Sequence, residues 1–372
     1  RLAVHGTLGN FQVEAGLLTS HWGPGGLAND GAHDPVFGRT DFGDRVIRVR
    51  ATSMSGGPDS RTVAFTAAAD LVVDDGTARL DHDEIAVNGI LSALVFTQNG
   101  GRYGLYGVFR QQWDREVDRT MTVGVVDGYV DAPVSLSGGW TASLAAEAVV
   151  LVGHTDRATT YNAREGVNVA QFGAAGVASV ETPCERFGGQ LWAGFASADG
   201  DPDDKLQHGF AFDPNFGAGM VLFDQVLGAV DAATYVLLDD PEIAAQPPDG
   251  VESLVREGAF NGATFVQPVL QATPMPYLDL KVGTTWTWAN APVMHPYYTY
   301  RAGGTPHNHH DLPSEGRLLG TEIDWSLGVG DAIGPVTPSL TVQGGHLHLG
   351  APLRGEGPDW VNHVMGVARL TW

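Results

Sequence analysis

Two groups of residues have side chains and a spacing suited to binding a metal ion. The first is a set of closely spaced carboxylates of the kind that binds Ca²⁺, at Asp199, Asp201, Asp203 and Asp204. The run lacks the rest of a recognisable calcium loop, including the distal bidentate Glu of an EF-hand. A calcium site in a loop is therefore one interpretation, and a solvated acidic loop is the other.

The second group is rich in histidine. His307, His309 and His310 offer imidazoles, which are ligands for transition metals, and Asp311 follows them. No second cluster stands at a fixed spacing from this one. A polar loop tip is therefore the competing interpretation. We predict no cofactor, with Ca²⁺ in the extracellular loops as the alternative.

Motifs for catalysis are missing from the sequence. It has no nucleophile elbow, no phosphate-binding glycine loop followed by Lys, and no zinc-protease His pair. The serines do not pair with a histidine at a spacing that suits a lipase. We therefore predict that the protein is not an enzyme.

The chain is strongly acidic, with 21 Lys and Arg against 43 Asp and Glu and a net charge of −22. Such a surface repels nucleic acid, and no basic cluster reverses the effect, so nucleic acid is excluded as a partner. Several charges recur on the polar face of alternating segments, where they are candidates to line a channel: Arg48, Arg50, Asp70, Arg110, Glu147, Asp279, Lys281, Glu322, Asp324 and Arg369. Opposed charges there would screen solutes, and pairing among themselves is the alternative.

The elements that must position these charges are β-strands. Segments 140–153, 277–288 and 317–329 alternate strictly, each with an uncharged apolar face. In the third segment, Leu319, Ile323 and Leu327 are predicted on that face. The final segment, 361–372, does the same and ends on Trp372, as outer-membrane barrels with their aromatic girdles commonly do.

Strand length separates a membrane barrel from a soluble sandwich. These segments have about 10 residues or more, enough for a tilted strand to cross a bilayer, whereas strands of soluble proteins usually stop at about 5 or 6. No run approaches the roughly 20 apolar residues of a membrane-spanning helix. Eleven further strands are predicted, at 2–8, 11–22, 45–54, 61–73, 87–98, 103–113, 120–134, 167–180, 190–197, 262–272 and 337–349.

The sequence thus predicts one all-β domain over residues 1–372, a transmembrane antiparallel up-and-down β-barrel in the bacterial outer membrane. The connections alternate between short and mostly longer, which orients short turns to the periplasm and long loops outward. Fifteen strands are an odd number, whereas bacterial single-chain barrels have an even one. We therefore expect about 16–18 strands in the complete wall, with the missing ones preceding Arg1, supplied by another envelope protein, or, for parity alone, lying unrecognised inside 198–261.

Three motifs resemble a largely uncharacterised family of outer-membrane barrels from myxobacteria and their relatives, similar in architecture to the alginate-export porins. The motifs are HWGPGGLANDG at 21–31 with DFGDRV at 41–46, FAFDP at 210–214 with MVLFDQVLG at 220–228, and LGTEID at 319–324. The resemblance runs from about Phe11 to Trp372 and implies about 16–18 strands. The alginate comparison implies a polyanion channel, but the excess of acidic residues favours a weakly selective or cation-preferring pore.

The stretch 198–261 is too long for a plain connection. Within it, segment 217–238 is apolar, with Phe223, Val226 and Leu227 at helical spacing. Folded inward it would narrow or plug the pore, and folded outward it would form an extracellular platform.

We interpret the protein as a porin-like channel for passive passage of small hydrophilic solutes or ions, in contact with outer-membrane lipid and lipopolysaccharide. The alternative is a structural barrel that anchors a multi-protein assembly of the cell envelope.

Overall fold

The computed structural model describes residues 2–33, 35–39, 43–56, 61–116, 118–158, 163–201, 204–239, 259–331 and 335–371. The strands are β1 (Leu2–Leu8), β2 (Phe11–Thr19), β3 (Arg45–Ser55), β4 (Thr62–Asp74), β5 (Glu84–Phe96), β6 (Arg102–Asp114), β7 (Arg119–Ser135), β8 (Thr141–Thr155), β9 (Val167–Glu181), β10 (Phe187–Ala196), β11 (Leu206–Gln207), β12 (Ala263–Met275), β13 (Leu278–Ala289), β14 (Leu318–Gly330), β15 (Thr337–Leu349) and β16 (Trp360–Thr371). The helices are α1 (Gly228–Asp239), α2 (Pro296–Arg301) and a π-helical turn (Leu222–Leu227), with 3₁₀ turns at Leu80–His82, Ser137–Gly139 and Ala351–Leu353.

Each long strand pairs antiparallel with its neighbours along the chain, from β1 through β10 to β12 and on to β16. The short strand β11 lies off this path and pairs parallel with β9. The prediction of an all-β, up-and-down antiparallel barrel wall is confirmed, and so is each of the fifteen predicted long strands. Within the described residues the ladder ends at β1 and at β16. The 16–18 strands of the complete wall stay a prediction.

The outer and inner faces of the wall carry different side chains, as the alternation of apolar and polar residues predicts. On β8, Val150 and Val152 are exposed on the outer face, whereas Val149 and Glu147 are buried on the inner face. On β16, the predicted outer residues, among them Val364, are exposed. Trp372 lies outside the described residues. Apolar side chains therefore cover the outside of the wall, the reverse of a water-soluble protein.

The predicted outward position of Leu319 is wrong. Leu319 is buried in the core, and its neighbour Leu318 is exposed on the outer face. The ladder between β13 and β14 shifts register where Thr287 pairs with Gly320 and Trp288 with Leu318. This irregularity places two residues of β14 against one of β13, so alternation beyond it is displaced by one residue.

Two long connections fold to the inside of the wall. The first inner loop is residues 20–44 and the second inner loop is residues 197–262, each described except for the gaps given above. The first inner loop contacts β8 through Gly26, β13 through Phe37 and β15 through Gly38. Because strands so far apart along the sheet contact one loop, the wall curls around a common interior.

The interior between wall and loops is packed with aromatic side chains. The rings of Phe210, Phe212, Phe216 and Phe260 from the second inner loop interlock with Phe265 of β12, with centroid separations of 4.6–6.4 Å. These five rings are each at most 6% exposed. The sequence left two directions open for the long loop, inward and outward. Its described residues 209–223 fold inward.

Helix α1 continues from the end of this buried segment. The predicted helical spacing of Phe223, Val226 and Leu227 falls in the π-helical turn, where Phe223 is buried and the other two pack against the core. Further along α1, Tyr235 and Val236 are exposed. None of the helices that the structure describes is long and apolar enough to cross a membrane.

The exposed outer face generates a prediction about depth in the bilayer. Val126, in the middle of β7, is 59% exposed, and Leu136, on the same side at the β7–β8 turn, is 45% exposed. Val126→Arg should destabilise the folded protein in lipid by about 2–4 kcal/mol, and Leu136→Arg by at most about 1 kcal/mol, because an interfacial Arg reaches water. Urea titration of refolding into vesicles measures both. Equal costs at the two positions would contradict a lipid-facing surface.

Candidate functional site: the loop-filled lumen

Glu322 is the principal point at which the wall holds the second inner loop. Its side chain lies on the inner face of β14 and is 1% exposed. The backbone N–H groups of Met220 and Val221 donate to Oε1 at 2.7 Å each, and that of Leu222 donates to Oε2 at 3.0 Å. A carboxylate that accepts three backbone amides at the start of a helical turn satisfies donors that have no helical partner.

The first inner loop is held in the same manner by two wall residues. Glu147 of β8 accepts from the Gly26 N–H at 3.1 Å. Gln343 of β15 makes a reciprocal pair with Gly38, accepting from its N–H at 2.9 Å and donating to its carbonyl oxygen at 3.0 Å. The two wall residues stand far apart on the sheet, so they fix the loop across the lumen.

The two inner loops also bind each other. The Asp213 backbone N–H donates to the Gly26 carbonyl oxygen at 2.9 Å, and the Asn29 N–H donates to the Asp213 carboxylate at 3.1 Å. Pro35 of the first loop packs against Gly217 of the second. Docking of either loop therefore supports the other.

Glycines on the inner face of the wall let the loops approach closely. A Cβ at Gly283 of β13 would lie 2.8 Å from the ring of Phe37. A Cβ at Gly345 of β15 would overlap the side chains of Val221 and Met220. These positions need Gly because loop side chains occupy the space where a Cβ would stand.

Trp22, at the start of the first inner loop, anchors it deep in the lumen. Its indole stacks on Tyr106 of β6 at 4.8 Å between centroids and meets Tyr129 of β7 edge-on at 5.2 Å. Its Nε1–H donates to the buried Asp127 carboxylate at 3.1 Å. The ring thus buries its apolar body while its single donor is satisfied.

Buried acidic groups cluster where the two loops meet. Burial raises the pKa of Asp213 to about 7, although the amides of Asn215 and Asn29 oppose this by donating hydrogen bonds to the carboxylate. Burial, together with the charges of Asp213 and Asp75, raises the pKa of Asp44 well above its ordinary value. The junction therefore favours protonated carboxyl groups.

The predicted channel-lining residues have three kinds of surroundings. Those buried beneath docked loops are Glu147, Glu322 and Asp324, none more than 3% exposed. The side chains of Glu147 and Glu322 face loop backbone rather than a water-filled lumen. Within the described residues neither oxygen of Asp324 has a hydrogen-bond partner. The groups in internal ion pairs are Arg48 with Asp70, and Arg110 with Asp75.

The remaining predicted channel-lining residues are exposed to solvent, on or beside the inner face of the wall. The side chain of Arg50 is 45% exposed and pairs with Glu14 of β2. Asp279 and Lys281 of β13 lie beside each other, with 37% and 28% of their side chains exposed. Arg369 is exposed near the end of β16. Their role in lining a channel stays a prediction.

The acidic loop that suggested calcium is partly occupied by its own backbone. Asp199 accepts from the N–H groups of Asp201 and His208 at 3.1 and 3.2 Å, Asp204 accepts from that of Leu206, and Asp203 lies outside the described residues. Burial, partly opposed by those two bonds to Asp199, raises the pKa of that carboxyl. Calcium binding stays a prediction.

The histidine cluster forms a compact loop beside α2. The rings of His309 and His310 lie 4.0 Å apart, and His307 Nδ1 is 2.9 Å from the Thr305 carbonyl oxygen. Burial and the neighbouring His310 lower the pKa of His309 to about 4. Transition-metal binding here is likewise untested.

One further group of potential metal ligands was not predicted from the sequence. In the described part of the chain, one set of three or more His, Cys, Asp or Glu brings its ligand atoms within 4.8 Å of one another, and it comprises His21, Asp30 and His33. All three lie in the first inner loop, and the first two belong to the HWGPGGLANDG motif. The signal that could have identified them is two histidines and a carboxylate within thirteen residues of a loop.

No family model and no curated protein matches this chain. Among solved structures, it is similar to OccK11 (OpdR) of Pseudomonas aeruginosa, with a TM-score of 0.48 and 11% identity over 97% of this chain and 76% of that chain. The ferric citrate transporter FecA gives 0.40 and 10%, over 99% of this chain and 52% of that chain. The FrpB iron transporter from Neisseria meningitidis gives 0.44 and 9%, over 95% and 60%. Likenesses this distant bring no residue role or substrate to the chain.

Removing the Glu322 carboxylate should release the second inner loop. Glu322→Ala leaves three buried amide donors without an acceptor, at about 1–3 kcal/mol each. We expect chymotrypsin to cut after Phe216 and Phe223 at least about tenfold faster than in the wild type. Glu322→Gln, which keeps one acceptor oxygen, should be intermediate.

The matched control for this experiment is Glu181→Ala, at the exposed end of β9. It removes the same group from the wall without touching either inner loop. Cleavage of Glu322→Ala at the wild-type rate would show that the carboxylate does not hold the loop.

The raised pKa of Asp213 predicts the sign of a pH effect. Between the ordinary Asp pKa near 4 and about 7, the folded protein keeps a proton that the unfolded chain has lost. Stability should therefore fall as the pH rises through this window. We expect the melting temperature, followed by tryptophan fluorescence, to drop between pH 4.5 and 7.5, and to drop less in Asp213→Asn. The control is Asp81→Asn, whose side chain is 69% exposed; an identical pH slope in all three proteins would contradict the assignment.

Proposed function

We propose that the protein is an outer-membrane channel of a Gram-negative cell, narrowed by its two inner loops and passing small hydrophilic solutes or ions. The observation that carries this proposal is the division between the two faces of the wall. The outer face is apolar and exposed along strands of 9–17 residues from β2 to β16, leaving the two-residue β11 aside, whereas the charged side chains of the wall, such as Arg48, Asp70 and Glu322, lie on the inner face among the apolar residues that meet the loops. Lipid is the environment in which such an outer surface is stable.

The expected surroundings follow from this placement. Membrane lipid and lipopolysaccharide would contact the outer face, and the short connections would lie on the periplasmic side. The resemblance to the myxobacterial barrel family is part of the same proposal. Two of its motifs supply Gly26, Met220 and Val221, which are among the loop residues that the wall holds.

The inner loops favour small solutes because they occupy the interior. Aromatic side chains and docked backbone fill the region between β8, β10 and β12–β15. Charged groups with solvent exposure remain on the inner face of β2 and β3, where Arg50 and Glu14 pair. Passage along this polar side would select by size and charge, and the excess of acidic residues favours cations.

Arg50 and Arg48 should respond differently to charge reversal. Arg50 is half exposed, whereas Arg48 is 8% exposed and donates to both oxygens of Asp70 at 2.7 Å and to the Ser20 hydroxyl at 3.0 Å. In a planar bilayer, Arg50→Glu should shift the reversal potential toward higher cation permeability. Arg48→Glu should instead lower the yield of folded protein, because it leaves a buried like-charge pair.

Arg186→Glu, in the exposed β9–β10 turn, is the matched control for Arg50→Glu because it makes the same charge change away from the lumen. An unchanged reversal potential in Arg50→Glu would remove this residue from the conducting path. Absence of any ion current from the folded wild-type barrel would overturn the channel proposal itself.

The second candidate function is a structural barrel that anchors a multi-protein envelope assembly. The observation that favours it is the filled interior, with Phe210, Phe260 and Leu222 at most 2% exposed. A barrel that is electrically silent and retains other envelope proteins through purification would support this role. Stable single-channel currents from the isolated chain would argue against it.

A further inference from the structure

We propose that His21, Asp30 and His33, in the first inner loop, form a binding site for a divalent transition-metal ion of the Zn²⁺ type. The site is independent of whether the barrel conducts. Its donor set is two imidazoles and one carboxylate, which leaves a fourth position for water, as in many zinc and non-haem iron sites.

The separation of the donor atoms fits a single ion. His21 Nδ1 and the Asp30 Oδ1 atom lie 3.5 Å apart. Two ligands about 2.0–2.1 Å from one tetrahedral ion lie about 3.3 Å apart. The His21 and His33 ring centroids are 5.4 Å apart, close to the roughly 5 Å expected for two imidazoles on such an ion. Ordinary side-chain adjustment would complete the geometry.

The neighbouring groups orient the donors. The Thr19 hydroxyl donates to Asp30 Oδ2 at 3.1 Å, on the oxygen that faces away from His21. The Ala32 N–H lies 3.2 Å from Oδ1 and donates to it. Such outer contacts hold ligand side chains in position before the metal arrives.

The burial pattern gives the ion a route to the site. The Asp30 side chain is only 7% exposed, whereas that of His21 is 31% exposed and His33 is exposed. The carboxylate therefore lies at the buried end of the site, and the imidazoles lie at the solvent end, where an ion would enter. Because Trp22 fixes the residue next to His21 on the inner wall, a bound ion would join the segment around His33 to a rigid anchor.

The test uses the full-length barrel in detergent, with Co²⁺ as a spectroscopic probe and Zn²⁺ as its competitor. We expect one saturable site per chain, with d–d absorption bands of low-coordinate cobalt that Zn²⁺ abolishes. His33→Gln and Asp30→Asn should each weaken binding at least about tenfold. Thr19→Val should weaken it about tenfold while keeping all three ligands.

The His309→Gln/His310→Gln double variant is the matched control, because it removes two imidazoles from the other histidine-rich loop. It should leave affinity and stoichiometry unchanged. Since His33 is exposed, His33→Gln should keep the wild-type melting temperature, which separates loss of a ligand from loss of the fold.

Two results would overturn the proposal. One is wild-type Co²⁺ binding no stronger than that of the His21→Gln/His33→Gln variant. The other is loss of the site in the His309→Gln/His310→Gln control with retention in His33→Gln.

Discussion

The acceptance of loop N–H groups by side chains of the wall is the interaction on which the rest of the structure depends. Loops that enter a barrel carry backbone donors and acceptors away from bulk water, and each unpaired buried group costs free energy. Glu322, Glu147 and Gln343 meet this requirement from three separate strands. Without them the aromatic packing around Phe212 and Phe260 would cover unsatisfied amides.

This arrangement also explains why acidic residues line an interior that is otherwise apolar. A carboxylate accepts several N–H groups at once, as Glu322 does, and carries no donor that would itself need a partner. Acidic residues are also buried where the two inner loops meet, at Asp44 and Asp213, and burial favours their protonated form. Loop docking and proton binding are therefore linked in this barrel.

Most of the wall could be predicted from the sequence because period-two alternation depends only on one face being apolar. That argument failed at Leu319, since a register shift between β13 and β14 depends on the partner strand and leaves no local mark. The alternation also placed Glu147 and Glu322 on the inner face, where they lie, but it did not indicate that they bind loop amides. A carboxylate facing water and one facing loop amides look the same in sequence, so the direction of the long loop could not be predicted.

The metal site was missed for a related reason. Adjacent like residues, such as His309 and His310, are conspicuous in a sequence, whereas the turn of the first inner loop brings His21, Asp30 and His33 together across twelve positions. Trp22 and Gly38 fix this loop to distant strands of the wall. Contacts that depend on tertiary structure cannot be predicted from the spacing of residues along one loop.

Hydrogen–deuterium exchange of the folded barrel in detergent tests the central claim most directly. Peptides that cover Met220–Leu222 and Gly26 should exchange as slowly as the central strands, because wall carboxylates hold their amides in a buried interior. Peptides around the exposed Gly357, where a side chain would meet open space, should exchange fast and set the reference. Equally fast exchange at both places would show that the loops are not docked, and the account would be wrong.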